Sequence, residues 1–253
     1  MRNYSVAKVQ PRRKSLGKFY LLLGVIVVAA GAAIAINSRP PKQDTFQVDP
    51  NLAPVAVEGY LLGDPNAPVR VREWADFECP TCAEFAAVTA PDLRALVKTG
   101  QISYEYFFFP ITQIHRSAAA AAYAAACAGD QGPDQFWAMH DAIYAGYNDW
   151  AAGRSRNPRG VFLGYARQIG LDTGAWEACY DSDKFHDLIA AHLAEGMRRG
   201  INGTPSFVIG DVLIAGSVPY DRMKMVIDSV AAMAPRAPAP SGDSTASLPV
   251  GGN

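Results

Sequence analysis

The stretch DFECPTCAEF, Asp76–Phe85, contains two cysteines three positions apart, with Pro80 and Thr81 between them. Three kinds of site use this spacing: a redox-active pair, half of a zinc site, and a short structural disulfide. The flanking elements, the compartment and the positions of the other two cysteines decide among them.

The cysteine pair lies between a predicted strand and a predicted helix. Residues 69–77, VRVREWADF, alternate with a period of two and include β-branched and aromatic side chains, which predicts a strand. Residues 83–100 have a helical pattern that stops near Gly100, and we expect Pro91 to kink or split this helix. Residues 101–109, QISYEYFFF, predict a second strand. The predicted order is therefore strand, Cys-x-x-Cys, helix, strand.

This placement gives the two cysteines different chemistry. Cys79 is expected at the helix N-terminus, where free N–H groups and the helix dipole stabilise a thiolate. The thiolate is the form that attacks disulfides. Cys82, one turn further on, can close the ring or resolve a mixed disulfide, and Pro80 is tolerated at an early helical position. We predict that Cys79 is an exposed nucleophile and Cys82 a buried resolving thiol.

The two competing interpretations of the pair are weaker. A zinc site needs two further ligands, but Cys127 and Cys179 are far from each other in sequence and the four histidines form no close pair. A structural disulfide across three residues gains little loop entropy. Redox chemistry is favoured, and no metal or organic cofactor is implied.

The N-terminal sequence predicts that the folded part of the protein is located outside the cytoplasm. Residues 1–18 carry six basic and no acidic side chains, and residues 19–36, FYLLLGVIVVAAGAAIAI, are uncharged. As a helix this run would rise about 27 Å, close to the hydrocarbon thickness of a bilayer. We predict a transmembrane signal anchor with the basic segment in the cytoplasm and the remaining chain outside. The alternative is a cleaved signal peptide ending near residues 33–35, AIA, although the apolar run exceeds the usual length of about 7–15 residues.

The rest of the chain divides by composition. Residues 37–53 are polar and proline-rich and predict a linker; residues 54–233 predict the folded domain; residues 234–253 contain few bulky apolar side chains and predict a disordered tail. Within the domain, residues 111–199 have a helical pattern throughout. Beyond residue 18 the chain has 17 basic and 24 acidic side chains, which argues against nucleic-acid binding. In the oxidising compartment that either membrane interpretation predicts, cysteine pairs persist as disulfides.

A second motif follows the helical block. In GINGTPSFVIG, residues 200–210, Thr204 and Pro205 directly precede a predicted strand at residues 206–209. Proline is allowed at the first position of a strand, and an X–Pro bond in a tight turn can be cis; a plain trans turn proline is the alternative. A return strand at 212–215 and a helix at about 219–233 complete the predicted domain.

Together these features resemble the DsbA-like thiol:disulfide oxidoreductases, over about residues 55–233. The resemblance rests on FECPTC after a strand, the helical block before the late strands, and GTPSFVIG. It implies an α/β, thioredoxin-like fold with an inserted helical domain, here preceded by one N-terminal transmembrane helix. It also implies that Cys79 is the nucleophile, that Cys82 is the resolving cysteine, and that Thr204–Pro205 forms the loop that packs against the disulfide and pairs with the substrate backbone.

The resemblance implies two further roles. Glu73, six residues before Cys79, matches a buried acidic residue that relays protons to the resolving thiol; the alternative is an outward-facing strand residue. Cys127 and Cys179 match a second disulfide, which we expect to be structural. A redox shuttle with the active pair and two free buried thiols are the alternatives.

The sequence departs from the family at the dipeptide. Family oxidases often have histidine between the cysteines, where this chain has the neutral Thr81. Asp76 and Glu78 add negative charge nearby, which disfavours a thiolate. We therefore expect a less extreme oxidant, with an oxidase still favoured over a reductase or isomerase.

The expected function is disulfide formation in reduced or unfolded secreted and envelope proteins, by a single-pass protein of the cell membrane with a periplasmic domain. A membrane redox partner, such as a quinone-linked oxidase, would reset it. One alternative is a reductase or isomerase kept reduced by a membrane electron donor. Another is a non-catalytic ectodomain that binds peptides.

Overall fold

The computed structural model describes residues 17–37 and 57–233, and the chain divides into two compact units, residues 1–41 and 42–253. In the first unit, Gly17–Asn37 is a single helix, α1, which contains the predicted membrane segment. No helix within the described ranges combines the length and the apolar character that crossing a bilayer requires. Residues 1–16, the predicted linker from residue 38 onward and the predicted tail lie outside the described residues.

The second unit is built on a five-stranded sheet in the order β1-β3-β2-β4-β5. The strands are β1 Tyr60–Leu62, β2 Val69–Ala75, β3 Ile102–Phe108, β4 Ser206–Ile209 and β5 Val212–Ala215. β2 and β3 are parallel, and the other three neighbouring pairs are antiparallel. Because β2 and β3 are parallel, the segments that follow them start from the same edge of the sheet.

Helices connect and cover these strands. They are α2 Pro80–Val88, α3 Ala90–Lys98, α4 Ala118–Gly129, α5 Pro133–Ala145, α6 Tyr147–Trp150, α7 Pro158–Gln168, α8 Thr173–Asp181, α9 His186–Arg198 and α10 Tyr220–Met233. The predicted order of strand, Cys-x-x-Cys, helix and strand is confirmed, and the helix is split at Thr89, two residues before Pro91. The segment between β3 and β4 contains only helices among its regular elements, as predicted. The edge strand β1 and the short helix α6 were not predicted.

The alternation along β2 separates two hydrophobic clusters. Val69, Val71 and Ala75 belong to the larger core, with α2, α3, α10 and most of the helical insertion. Trp74 belongs to a smaller cluster on the other face, where it stacks on Phe107 at 4.4 Å between ring centroids. Glu73 shares the period of Val71, so β2 directs this carboxyl group into the larger core.

Gly129 is the last residue of α4 and has a packing role. The helix includes it, and the cap is Asp130. A Cβ atom on Gly129 would lie 2.5 Å from Cε1 of Tyr60. The missing side chain makes room for the Tyr60 ring, which stacks on Phe136 with ring centroids 3.6 Å apart. The absence of a side chain at Gly129 therefore allows β1 to pack against the insertion.

A disulfide between Cys127 and Cys179 joins α4 to α8. Its Cα atoms are 5.7 Å apart and its cysteines 52 residues apart in sequence. Both cysteines are buried in the larger core. The bond therefore ties the first long helix of the insertion to a later one.

Candidate active site

The turn from β2 into α2 positions the cysteine pair. Cys79 is the N-cap of α2 with an extended backbone, and Pro80 is the first helical residue. The backbone N–H of Cys79 donates to the Asp76 carbonyl oxygen at 3.1 Å, and the Cys79 carbonyl oxygen accepts from Ala83 N at 3.1 Å. Proline fits at the first position because that N–H has no partner within the helix. Cys79 therefore stands at the positive end of α2, with Cys82 one turn inside.

Both cysteines are free thiols, and both are buried. Cys82 is fully buried, and Cys79 is only 7% exposed, so the prediction of an exposed Cys79 was wrong. The reason is the loop before β4, which places the Thr204 carbonyl oxygen 3.4 Å from Cys79 Sγ. The Thr204–Pro205 peptide bond in this loop is cis. The loop from the distant GTPSFVIG motif covers the sulfur, a long-range contact that the family resemblance, and not the local pattern, implied.

The two thiols have opposite pKa shifts. Hydrogen bonding from the Cys82 thiol lowers the pKa of Cys79 to about 5, assisted by the Thr204 side chain and the first backbone N–H groups of α2 and opposed by burial. Burial raises the pKa of Cys82 well above its ordinary value, and the neighbouring Cys79 raises it further. At neutral pH the reduced pair is therefore a Cys79 thiolate beside a protonated Cys82.

Asp76 is bound on both carboxylate oxygens. Oδ1 accepts from the backbone N–H of Glu78 at 2.8 Å, and Oδ2 accepts from Ile111 N at 2.8 Å. Nδ1 of His115 lies 2.7 Å from the same Oδ2. The segment after β3 thus contacts the Asp76 carboxylate through Ile111 and His115. From the sequence, Asp76 was expected only to add negative charge near Cys79. His115 was not predicted as a site residue; it lies in the segment that follows the neighbouring parallel strand, β3.

Glu78 likewise holds the helical insertion to the redox turn. Its Oε2 accepts from Ser117 N at 2.5 Å, and its Oε1 accepts from Ala152 N at 2.9 Å. The Tyr147 hydroxyl donates to the Glu78 carbonyl oxygen at 3.0 Å. Burial raises the pKa of the Glu78 carboxyl group, while the two backbone donors lower it. The low pKa of Cys79 exists despite both acidic neighbours.

Glu73 is 2% exposed, so the alternative of an outward-facing residue is excluded, and its charge interacts with both cysteines. The Tyr104 hydroxyl donates to its Oε2. Burial raises the pKa of Glu73 to about 7, which leaves the group close to half ionised at neutral pH. Its charge also contributes to the raised pKa of Cys82. A buried acid of this pKa can exchange a proton under physiological conditions.

Of the remaining motif residues, Thr81 contributes its backbone N–H to Cys79 and the second cysteine pair lies in the insertion. The Cys127–Cys179 disulfide is in the insertion, and Thr81 follows Pro80 in the first turn of α2. In the described parts of the chain, no group of three His, Cys, Asp or Glu side chains is arranged to hold a metal ion.

The fold and this dithiol at a helix N-terminus define a thioredoxin-fold disulfide oxidoreductase site. The family model described as Thioredoxin matches residues 56–229, and the chain belongs to this family. Crystalline α-DsbA1 from Wolbachia pipientis has a similar fold, with a TM-score of 0.62 at 22% identity, over 72% of this chain and 94% of that one.

Two curated relatives are similar to this chain in sequence. Disulfide bond formation protein D of Bacillus subtilis is 25% identical over 174 residues, which are 66% of this chain and 75% of that protein. The Na(+)/H(+) antiporter NhaA 1 of Salinispora arenicola is 30% identical over 171 residues, 67% of this chain. The chain spans only 24% of that antiporter's length. The predicted resemblance to DsbA-like thiol:disulfide oxidoreductases is confirmed at the level of family and fold.

Proposed function

We propose that this protein is an oxidant that donates the Cys79–Cys82 disulfide to reduced protein thiols outside the cytoplasm. The observation that carries the proposal is the pKa of Cys79, about 5, beside a protonated Cys82. A thiolate stabilised in the reduced form makes the disulfide form the less stable one. Relative to a thiol of pKa 9.0, the shift stabilises the reduced pair at pH 7 by about 3 kcal/mol, or about 60 mV.

Exchange would proceed in two balanced steps. A client thiolate attacks Cys79 Sγ in the disulfide, a client–Cys79 bond forms, and Cys82 leaves with the bonding pair and takes up a proton. A second client thiolate then attacks the client sulfur, and Cys79 leaves as a thiolate. Two electrons pass from the client to the protein. The second step is favoured because a low-pKa thiol is the better leaving group.

Glu73 is the proposed proton source for Cys82. Its pKa of about 7 matches the working pH, and it lies in the same buried region as Cys82, whose pKa it raises. Cys82 leaves as a thiolate in a fully buried position, where charge is costly. A proton transferred from Glu73 neutralises the Cys82 thiolate and so removes the cost of burying its charge.

The Thr204–Pro205 loop is the proposed client-binding edge. It precedes β4, and the Thr204 carbonyl oxygen lies 3.4 Å from Cys79 Sγ. The Pro205 carbonyl oxygen is already bound by Gly216 N at 2.8 Å, which fixes the loop to β5. An extended client segment beside this loop would bring its cysteine to Cys79.

We propose a structural role for Cys127–Cys179. Cys127 is 1% exposed and Cys179 8%, and the bond ties α4 to α8 within the insertion. Burial of both sulfurs in the core favours this role over a shuttle with the active pair.

We propose that residues 19–36 anchor the domain of residues 54–233 at the outer face of the cell membrane. The uncharged run and its basic flank support this, with residues 37–53 as tether and 234–253 as a free tail. A membrane partner, such as a quinone-linked oxidase, would then reoxidise the pair. Resistance of the protein to alkaline carbonate extraction, with the domain open to protease in spheroplasts, is expected; release by carbonate would contradict the anchor.

Trapping tests the catalytic proposal. In Cys82→Ser a client–Cys79 disulfide cannot be resolved internally, so we expect client adducts that dithiothreitol releases. Cys79→Ser is the matched control and should form none. Equal reversible binding of peptides by wild type and Cys79→Ser, without adducts in either variant, would instead indicate a non-catalytic peptide-binding domain.

The same trapped adducts cannot separate an oxidase from a reductase or isomerase, since all three pass through a mixed disulfide. The reduction potential separates them, and the pKa of Cys79 favours the oxidase.

A further inference from the structure

We propose that His115 is a positioning residue of the redox centre: its imidazolium, held by Asp76, supplies beside Cys79 the positive charge that Pro80 and Thr81 lack. The inference rests on the proposed function, because it concerns what sets the oxidising power of the pair.

The fold brings His115 to the redox turn although 36 residues separate it from Cys79 in sequence. β2 and β3 are parallel with Ala75 opposite Phe108, so the segments after them leave the sheet side by side. His115 N donates to the Ile111 carbonyl oxygen at 3.0 Å, which folds this segment into a turn. The turn places Ile111 N and His115 Nδ1 on the same oxygen of Asp76.

The geometry decides which ring nitrogen of His115 carries the hydrogen that faces Asp76. The side chain of Asp76 is fully buried and that of His115 is 16% exposed. A carboxylate only accepts hydrogen bonds, so Nδ1 of His115 must carry a hydrogen at 2.7 Å. The second proton of the imidazolium is then on Nε2. The hydrogen bond to Asp76 raises the pKa of His115, against the effect of burial.

The charges around His115 are mostly negative. Asp76 contacts it, and the charges of Glu78 and the Cys79 thiolate also raise its pKa. The hydroxyl of Tyr147 faces the same turn through the Glu78 carbonyl oxygen. Without the imidazolium, the thiolate would form beside two carboxylates. With the imidazolium in place, its positive charge offsets the negative charge of Asp76.

Linkage makes the proposal testable in the unmodified protein. If the imidazolium favours the Cys79 thiolate by some factor, the thiolate must favour the imidazolium by the same factor. The disulfide form has no thiolate charge. His115 should therefore bind its proton more tightly in the reduced protein than in the oxidised one.

The first test is an NMR titration of the full-length protein in both redox states. We expect the His115 midpoint to be higher in the reduced state by about one pH unit, the low end for opposite charges within contact range. His140 and His192 are internal controls whose midpoints should not follow the redox state. Identical His115 midpoints in the two states would overturn the proposal.

The second test is His115→Asn, whose amide can replace Nδ1 as donor without carrying charge. Thiolate absorbance should show the Cys79 midpoint raised by about one unit, and the reduction potential should fall by about 30 mV, the equivalent of a tenfold change. Adding Asp76→Asn should return the midpoint toward wild type, because both charges are then absent. An unchanged midpoint in His115→Asn, with the fold intact by urea unfolding, would refute the role.

These outcomes are distinct from a failure of the proposed function. His115→Asn in the Cys82→Ser background should still trap client adducts, because the nucleophile is intact. Loss of trapping in the Cys82→Ser protein that retains His115 would refute the exchange activity itself.

Discussion

Replacing Glu73 with glutamine should stabilise the protein above neutral pH and have little effect in acid. Glu73 is 2% exposed and accepts a hydrogen bond from the Tyr104 hydroxyl. Glutamine has nearly the same shape, and its carbonyl oxygen can accept the same bond. What the substitution removes is the cost of a buried carboxylate charge.

The size of the effect follows from the pKa. Burial raises the pKa of Glu73 from 4.5 to about 7. Between these pH values the folded state holds a proton that the unfolded chain has released, so wild-type stability falls as pH rises through this window. Above pH 7 the full difference is present, which amounts to about 3 kcal/mol. Glu73→Gln has no such titration.

The assay is urea unfolding of the oxidised proteins at pH 4.5 and pH 8, so that no cysteine titrates. The free energy of unfolding of Glu73→Gln minus that of wild type should rise by about 3 kcal/mol between the two pH values. Glu84→Gln, on the solvent-exposed side of α2, is the matched control and should show a difference that does not vary with pH. A Glu73→Gln difference that is the same at both pH values would refute the reasoning.

Two further predictions concern stability. Converting Cys127 and Cys179 to alanine should cost about 4 kcal/mol through loop-closure entropy and lower Tm by about 10 °C, with the reduction potential of the active pair unchanged; a stable but inactive double variant would contradict the structural role. Gly129→Ala should cost about 1–3 kcal/mol, because its Cβ would lie 2.5 Å from the Tyr60 ring. Gly164→Ala in α7, where a Cβ meets no atom within 4 Å, should instead stabilise by about 0.5–1 kcal/mol, and equal costs in denaturant unfolding would count against the packing argument.

The elements around the redox motif could be predicted because their signals are local. β2 alternates over its own length, Pro91 marks a break in the following helix, and Cys79 lies where a strand pattern gives way to a helical one. Each of these signals comes from residues that are close in sequence, and each element lies close to its predicted position.

What the sequence missed depends on contacts between distant segments. β1 has only three residues and no alternation, and it exists because it pairs with β3, where Tyr60 is opposite Tyr106. The packing role of Gly129 was not predictable because the ring that packs against it belongs to that unpredicted strand. Neither fact can be read from a window of a few residues.

The active site likewise combines features with local sequence signals and features that depend on contacts between distant segments. Cys79 and Cys82 could be assigned from spacing, whereas the Thr204 loop over Cys79, 125 residues away, was expected only from the family resemblance. His115 is a single histidine in a connecting segment, and its importance follows from the parallel pairing of β2 and β3. The one usable signal was its position just after the second strand, since parallel neighbours bring the residues after them together.

The reduction potential of Cys79–Cys82, measured by equilibration of the domain with glutathione buffers at pH 7, tests the central claim most directly. The low pKa of Cys79 predicts a potential about 60 mV above the thioredoxin value, near −210 mV or higher. The pair would then donate its disulfide to most protein thiols. A potential near −270 mV, the thioredoxin end of that range, would contradict the account and indicate a reductase that needs an electron donor.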